Sequence, residues 1–333
     1  MRTLLVALAS LVALFAAGLA RADVPVAAPT VPVVFAAYAT PLEEPWNQVI
    51  HQALVAAQQA GRITYTWQDK LASQSAMGQA IRAAVAQRPN VVFADAVEGD
   101  AEIRPIAAAN PGIAFVIATS TAAPAPPNLS VFDGDLSDPA YLCGITAGKL
   151  TASGIVGVVA GKSDVQANRA VNGFIRGVKD TNPAARVKVT YIESWYDPPR
   201  ARQAALEQIA AGADLIYAER EGAIAAAKEK GVLAFGHLVD QHAEAPGTVV
   251  TGPVWSMEPL VDHIVKQASA GMIRGESLHD FSSAARGGAM LAPWREWAQQ
   301  LPAEVIELVR EKQVALKTGA LVVNPRSERA VGD

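Results

Sequence analysis

The chain is poor in cysteine, in aromatic residues and in excess positive charge, and these shortages exclude several classes of protein. Its 333 residues include one cysteine, Cys143, which leaves no internal disulfide and no cluster of thiolate metal ligands. The 28 Lys and Arg residues are outnumbered by 32 Asp and Glu, and this net charge of −4 argues against a nucleic-acid-binding protein. With 51% hydrophobic residues, the composition is that of a folded globular protein and excludes a disordered or collagen-like chain.

Catalytic and metal-binding motifs are also missing from the sequence. There is no H-E-x-x-H and no G-x-S-x-G, and the five histidines do not form a ligand pattern. The segment Gly157-x-x-x-Gly161-Lys162-Ser163 is similar to a phosphate-binding loop, but that motif has four residues between its glycines and here there are three. We therefore expect no catalytic residues, no metal and no cofactor.

The first 22 residues have the pattern of a secretory signal peptide. Arg2 supplies a positive charge, the stretch from Leu4 to Ala20 is apolar and uncharged, and Ala20-Arg21-Ala22 is an A-x-A-like cleavage site. We expect cleavage after about Ala22, an Ala- and Pro-rich linker over 23–30, and a periplasmic protein. The alternative is a membrane anchor, although this apolar stretch is at the lower length limit for a membrane span.

Apolar segments alternate with helix-like segments along the rest of the chain, in two successive runs. The expected strands are 31–37, 62–66, 90–94, 113–118, 129–132, 154–160, 187–192, 215–218 and 232–235. Continuous apolar strands that alternate with helices are typical of parallel sheets covered on both faces. We therefore predict an α/β protein with two doubly wound parallel-sheet lobes, followed by an extended segment over 280–291 and a helix over 302–316. Ligands bind beyond the carboxyl ends of such strands, which predicts a cleft shared by the two lobes.

Aromatic and acidic residues are concentrated in the loops that follow these strands. Trp46 and Asn47 open the first helix, Trp195 follows a strand of the second run, and Glu219 and Asp240 follow two others. An exposed indole suits the flat face of a heterocycle or of a sugar, and nearby carboxylates suit N–H or hydroxyl groups. Two structural roles stay open, namely Trp46 as a hydrophobic staple at its helix start and Trp195 as a residue that packs the lobes together.

The order of six segments indicates a known family. The segments are PWNQVIHQAL, GITAGKLTASGIVGVVAG, AVNGFIRGVKDTNP, IESWYDPPRARQAALEQIAAGADLIY, KGVLAFGHLVD and TGPVW. In this order and spacing they resemble the basic membrane protein family, the purine-nucleoside-receptor-like solute-binding proteins of ABC transporters. The resemblance implies a type I periplasmic-binding fold, with two lobes joined by a hinge and a ligand cleft between them. The implied boundaries are 31–152 plus about 252–275 for the first lobe, 153–251 plus about 276–320 for the second, and 321–333 for a tail.

The resemblance also implies a receptor and not an enzyme. Its ligand would be a purine base or a purine nucleoside, delivered by a monomeric receptor to an ABC permease in the inner membrane. By position, Trp46 matches an aromatic residue that stacks on the base, with Asn47 beside it, and Trp195 matches the aromatic residue on the opposite lobe. The acidic positions implied for the cleft are Asp95, Glu219 and Asp240.

Two loops depart from the family pattern. Glu43-Glu44-Pro45 replaces a short acidic-glycine turn, and the loop at Glu219 reads Ala-Glu-Arg-Glu-Gly where the family has an aspartate-bearing turn. Both departures affect positions that would contact a ribose, so a free purine base, a sugar or another small polar ligand stays open. Two further functions stay open as well, namely a periplasmic enzyme that processes nucleosides and a sensor subunit that reports the ligand to a membrane kinase.

Overall fold

A parallel five-stranded sheet forms the first half of the protein. The computed structural model describes residues 31–96, 100–119 and 126–333. The strand order of this sheet is β2-β1-β3-β4-β5, with strands β1 Val33–Ala37, β2 Thr64–Gln68, β3 Val91–Asp95, β4 Ala114–Ala118 and β5 Leu129–Phe132. The helices that connect the first four strands are α1 Pro45–Gln59, α2 Gln74–Val85 and α3 Asp100–Ala109.

A second parallel five-stranded sheet follows, with the order β10-β9-β8-β6-β7. Its strands are β6 Ile155–Ala160, β7 Arg186–Tyr191, β8 Leu215–Ala218, β9 Leu233–Phe235 and β10 Val249–Thr251. The helices around it are α4 Ser137–Leu150, α5 Val165–Thr181, α6 Pro198–Ala210 and α7 Ala223–Lys230. The prediction of two α/β lobes with parallel sheets is therefore confirmed.

Both faces of each sheet are covered, which is why central strands such as β3 have no polar alternation. In β3 all five residues are buried. Val91 and Phe93 pack into the core under α1, whereas Val92 and Ala94 pack into the core under α2 and α3. Because successive side chains of a strand point to opposite faces, a strand that serves two cores must be apolar throughout.

The chain passes from the first lobe to the second before α4, which corrects the expected boundary at residue 152. Ala140, Cys143 and Ala147 of α4 lie in the core of the second sheet. Helix α4 also packs closely against α5, since a Cβ at Gly144 would lie 2.0 Å from the carbonyl oxygen of Phe174. Glycine at this position lets the two helix backbones approach, and the pair belongs to the second lobe.

The remaining elements link the lobes and complete both cores. They are the antiparallel strands β11 Pro253–Trp255 and β12 Ala289–Leu291, and the helices α8 Glu258–Ser269, α9 Trp297–Gln300 and α10 Ala303–Lys317. Helix α8 packs on the first lobe through residues such as Leu260 and Ile264. Helix α10 packs on the second lobe, where Val309 and Leu316 share a core with residues of α4.

The segment after α8 differs from two expectations. The extended structure expected over 280–291 is present only in β12, because 3-10 turns form at His279–Ser282 and Ala284–Arg286. The expected boundary at about 276 is also wrong. The Val131 amide of β5 donates to the Glu276 carbonyl, and the Leu278 amide donates to the Val131 carbonyl, so this stretch lies along the first sheet.

The predicted signal peptide over 1–22 and linker over 23–30 lie outside the described residues. Within 31–96, 100–119 and 126–333, no helix combines the length and the apolar character that crossing a membrane requires.

Candidate functional site

A cavity of about 470 Å³ lies between the two lobes, at the carboxyl ends of both sheets. Its walls come from loops that follow strands of each sheet, as expected for parallel α/β lobes. The first lobe contributes the loop after β1 and Asp95 at the end of β3. The second lobe contributes loops after β6, β7 and β8, with side chains that include Lys162, Asp164, Trp195 and Arg220. A volume of this size fits a small organic molecule.

Trp46 is held in the first-lobe wall by the start of α1 and by stacking on another indole. Glu44 caps the helix by accepting the Asn47 amide at 3.2 Å, and Pro45 occupies the first helical position. The rings of Trp46 and Trp255 stack with centroids 4.4 Å apart and an interplanar angle of 25°. The Trp46 Nε1 donor is buried and has no partner among the described residues.

Trp195 in the second-lobe wall is held by cations. The Arg220 guanidinium carbon lies 5.1 Å from the centroid of the indole, and the Lys162 Nζ lies 5.9 Å from it. Such contacts attract a cation to the negative face of an aromatic ring. The indole lies in the loop between β7 and α6, where the expected aromatic residue of the opposite lobe was placed.

Arg220 joins the two lobes inside the cavity wall. Its guanidinium donates to Glu219 Oε1 at 3.0 Å within the second lobe, and to Glu44 Oε1 at 3.5 Å across the cleft. All three side chains are buried, with 7% of Arg220, 3% of Glu44 and 1% of Glu219 exposed. One buried cation therefore pairs with two buried carboxylates.

Burial changes the ionisation of these carboxylates. Loss of hydration raises the pKa of Glu44 and of Glu219 to about 7, and the attraction of Arg220 opposes this rise. Burial also raises the pKa of the neighbouring Glu221 to about 7. The carboxylates of the wall thus hold protons near neutral pH, or accept hydrogen bonds from a ligand that brings N–H or O–H groups.

His237 adds a neutral side chain to the same wall. Burial, together with the nearby Arg220, lowers the pKa of His237 well below its ordinary value. Its Nδ1 shares a hydrogen bond of 2.7 Å with the Tyr217 hydroxyl. Next to it, Glu219 Oε2 accepts the Gly161 amide at 2.8 Å, which ties the β8 loop to the β6 loop.

Three residues of the cavity wall have a left-handed backbone that is unusual outside glycine. They are Lys70, Glu193 and Leu238, with φ of 61°, 54° and 67°. Such conformations cost free energy and persist where the surrounding structure holds them, and they cluster at ligand sites. Their position at one cavity marks this region as the candidate site.

The structure brings four of the six sequence-predicted site residues to this cavity, namely Trp46, Asp95, Trp195 and Glu219. Asn47 and Asp240 are not among its lining residues. The Asn47 side chain is buried and donates to the Thr40 carbonyl at 3.1 Å and to the Thr40 hydroxyl at 2.7 Å, so it holds the loop after β1. Asp240 pairs with Arg295 and accepts the His242 amide, so its carboxylate contacts its own loop and the segment after β12.

Sequence reasoning missed several residues that the cavity brings together, above all Glu44 and Arg220. A signal was present, because both lie in the two loops that depart from the family pattern. The departure at Glu44 supplies a carboxylate to the first-lobe wall, and the departure at Arg220 supplies the cation that meets it. The pairing itself depends on the approach of two lobes, which a single sequence does not give.

Comparison with known proteins identifies the family. A family model described as ABC transporter substrate-binding protein PnrA-like matches residues 31–282. The chain belongs to this family. The description of this family is that of ABC transporter substrate-binding proteins, a class of binding proteins and not of enzymes.

A purine-binding protein of Brucella abortus is 28% identical over 196 residues, which cover 58% of this chain. The match covers 54% of that protein, so the chain spans about half the length of this curated relative.

Solved structures show the same fold. A solute-binding protein of an ABC transporter system from Aeropyrum pernix has a TM-score of 0.74 at 18% identity, over 87% of this chain and 92% of that one. The periplasmic binding protein of the arabinose ABC transporter from Shewanella sp. ANA-3, bound to arabinofuranose, has a TM-score of 0.59 at 19% identity, over 86% and 98%. The type I periplasmic-binding fold is thereby confirmed.

Proposed function

We propose that the protein is an exported, monomeric receptor that captures a purine base or a purine nucleoside and delivers it to an ABC permease in the inner membrane. One observation carries this proposal. Trp46 of the first lobe and Trp195 of the second line the same cavity, together with buried carboxylates. The purine-binding relative from Brucella abortus supports the same ligand class.

The chemistry of the cavity suits a flat ring with hydrogen-bonding edges. Stacking of a base on an indole is worth about 1–3 kcal/mol. Glu44, Asp95 and Glu219 offer acceptors for N–H and O–H groups of the ligand. Trp46 Nε1 and Gln166 Nε2 are buried donors without a partner in the described part of the chain, and they suit the ring nitrogens or a carbonyl of a purine.

Closure of the lobes provides the mechanism of capture. A ligand that contacts both lobes binds the closed form more tightly than the open form, and so shifts the population toward closure. The contact between Arg220 and Glu44 crosses the cleft, and it must form as the lobes approach each other. The closed receptor then presents a surface made by both lobes to the permease.

We propose direct ligand contacts for Trp46, Asp95, Trp195 and Glu219, and a supporting role for Asn47 and Asp240. Arg220 joins the set as the residue that holds the Glu44 and Glu219 carboxylates in place. The second candidate ligand is a sugar, because the flat face of a pyranose or furanose also stacks on indole and its hydroxyls suit the same carboxylates.

Mass spectrometry of the ligand that co-purifies with the protein separates these candidates. It is best combined with a thermal-shift panel of adenine, hypoxanthine, inosine, guanosine, L-arabinose and D-ribose. We expect a purine in the mass spectrum and stabilisation by at least one purine. Stabilisation by a pentose, with no response to any purine, would reject the purine assignment in favour of the sugar.

A further inference from the structure

Residues 321–333 lie along the outer surface of the second lobe, against α5 and the edge strand β7, and we name this segment the strap. Its contacts with α5 follow the helical repeat, because the α5 residues involved are three or four positions apart and therefore share one face. These residues are Asn168, Asn172, Arg176 and Lys179.

Each of these four side chains donates to the strap. Asn172 Nδ2 donates to the carbonyls of Arg326 at 3.0 Å and of Glu328 at 2.9 Å. Lys179 Nζ meets the Asp333 carboxylate at 2.6 Å. Side-chain amides and cations that satisfy backbone carbonyls at regular intervals fix the path of a segment that has no helix or strand of its own.

The strap also covers the exposed edge of the second sheet. The Asp333 amide donates to the Val187 carbonyl at 2.9 Å, and the Asp333 carboxylate accepts the Val187 amide at 3.0 Å. Further along β7, the Ala330 amide donates to the Tyr191 hydroxyl at 3.2 Å. Since β7 is an edge strand, these bonds satisfy backbone groups that would otherwise be unpaired.

One end of this network reaches the ligand cavity through Arg329. Its guanidinium lies 4.3 Å from the centroid of the Tyr191 ring and forms an ion pair of 2.7 Å with Glu193. Glu193 lines the cavity with a left-handed backbone, two positions before Trp195. Arg329 therefore holds the strained residue from which the Trp195 loop begins.

A second branch of the network reaches the loop after β6. The Tyr191 hydroxyl donates to Asn168 Oδ1 at 2.9 Å, and the same oxygen accepts the Ser163 hydroxyl at 3.2 Å. Ser163 lies between Lys162 and Asp164, which both line the cavity. The strap, through Ser327 and Ala330, thus bonds to the two residues that anchor this loop.

We propose that the strap positions the second-lobe wall of the ligand cavity, with Arg329 as its main positioning residue. In this arrangement Arg329 does not touch the ligand. It fixes Glu193, and through Glu193 the orientation of the Trp195 loop. The effect of Arg329 on ligand binding rests on the proposed function of the cavity. Its effect on the rigidity of the Trp195 loop does not.

Hydrogen exchange of the ligand-free protein, followed by mass spectrometry, tests this inference. In Arg329→Ala we expect the amides of 193–197 to exchange about tenfold faster, because a ring contact and an ion pair are both lost. Peptides of the first lobe should be unchanged. Arg329→Lys keeps the charge and should restore part of the protection. Asn172→Ala, which releases the strap away from the cavity, should produce a smaller increase at the same peptide.

The matched control is Arg310→Ala, because Arg310 forms an exposed ion pair with Glu307 on α10, far along the chain from the cavity loops. Unchanged exchange over 193–197 in both Arg329→Ala and Asn172→Ala would overturn the proposal. So would an increase spread evenly over the second lobe, since that result describes a general stabiliser.

Inosine affinity, measured by calorimetry, gives a second readout. It should fall several-fold in Arg329→Ala and recover in Arg329→Lys. If the wild-type protein binds no purine, the proposed ligand class fails while the exchange result still decides the role of the strap.

Discussion

The two walls of the cavity hold their indoles by different forces. In the first lobe, Trp46 stacks on Trp255 and packs against Gly134, where a Cβ would lie 2.6 Å from the Trp46 ring. In the second lobe, Trp195 lies under Arg220 and Lys162. The indole of the first wall is therefore fixed by dispersion and shape, while its helix is capped by Glu44, which titrates. The indole of the second wall is fixed by charge, so how firmly it is held depends on the ionisation of the residues around it.

The largest loss of stability is expected when the buried cation of the second wall, Arg220, is removed. Arg220→Met leaves Glu44 and Glu219 buried without their partner, and breaking a buried pair in this way costs about 3–5 kcal/mol. We expect a loss of this size in the free energy of unfolding, measured with urea, and a loss of ligand binding. Arg202→Met is the control, because the Arg202 pair with Glu229 is exposed and its loss should leave the free energy of unfolding nearly unchanged. Equal losses in the two variants would contradict a central role for the buried cation.

Removing each indole compares the walls directly. Trp46→Ala should lower the free energy of unfolding by about 2–4 kcal/mol, since it opens a cavity beside Trp255. Trp195→Ala should cost about 1 kcal/mol, because it loses the ring contacts with Arg220 and Lys162. Both variants should weaken purine binding about tenfold or more in calorimetry. If both bound purines with wild-type affinity, the stacking assignment would be wrong.

The pH dependence of stability sharpens the comparison. The pKa of Glu44 is about 7 in the folded protein and has an ordinary value of 4.5. Between these values the folded state keeps a proton that the unfolded state has released, so this group lowers the free energy of unfolding as pH rises from 4.5 to 7. Glu44→Gln has no group to titrate at this position. We expect its unfolding free energy, relative to that of the wild type, to increase across this pH range.

Urea unfolding at several pH values measures this difference. Glu307→Gln, an exposed change on α10, serves as the control. Identical pH profiles for the wild type and Glu44→Gln would mean that Glu44 does not titrate in this range.

The smallest effect on purine affinity is expected at Asp240, a predicted site residue that does not line the cavity. Asp240→Asn should leave purine affinity within about twofold, because Asp240 pairs with Arg295 outside the cavity. Glu219→Gln, at a buried position in the wall, should weaken binding at least about tenfold, since a directional hydrogen bond to the ligand is lost. Calorimetry with inosine gives both numbers, and a larger loss in Asp240→Asn would return that residue to the site.

Much of the fold could be predicted because each strand carries its own signal. A segment such as Val91–Asp95 is apolar on both faces, and this pattern has one common solution in a parallel sheet. The position of α4 could not be predicted in this way. Its assignment to the second lobe depends on the contact of Gly144 with α5, which is far along the sequence.

The site was predictable to the extent that it follows from strand ends. Trp195 and Glu219 each follow a strand and reach the cavity. Asp240 also follows a strand, yet it pairs with Arg295, whereas His237 and Leu238 of the same loop line the cavity. The pairing of Glu44 with Arg220 lies beyond sequence patterns, since it joins loops of two lobes.

A crystal structure of the protein grown with inosine or hypoxanthine tests the proposed ligand site most directly. We predict that the purine ring lies in the cavity between the lobes, in contact with both Trp46 and Trp195, with a ring or ribose donor on Glu44, Asp95 or Glu219. A purine bound elsewhere, or bound in the cavity without contact to either indole, would contradict this prediction.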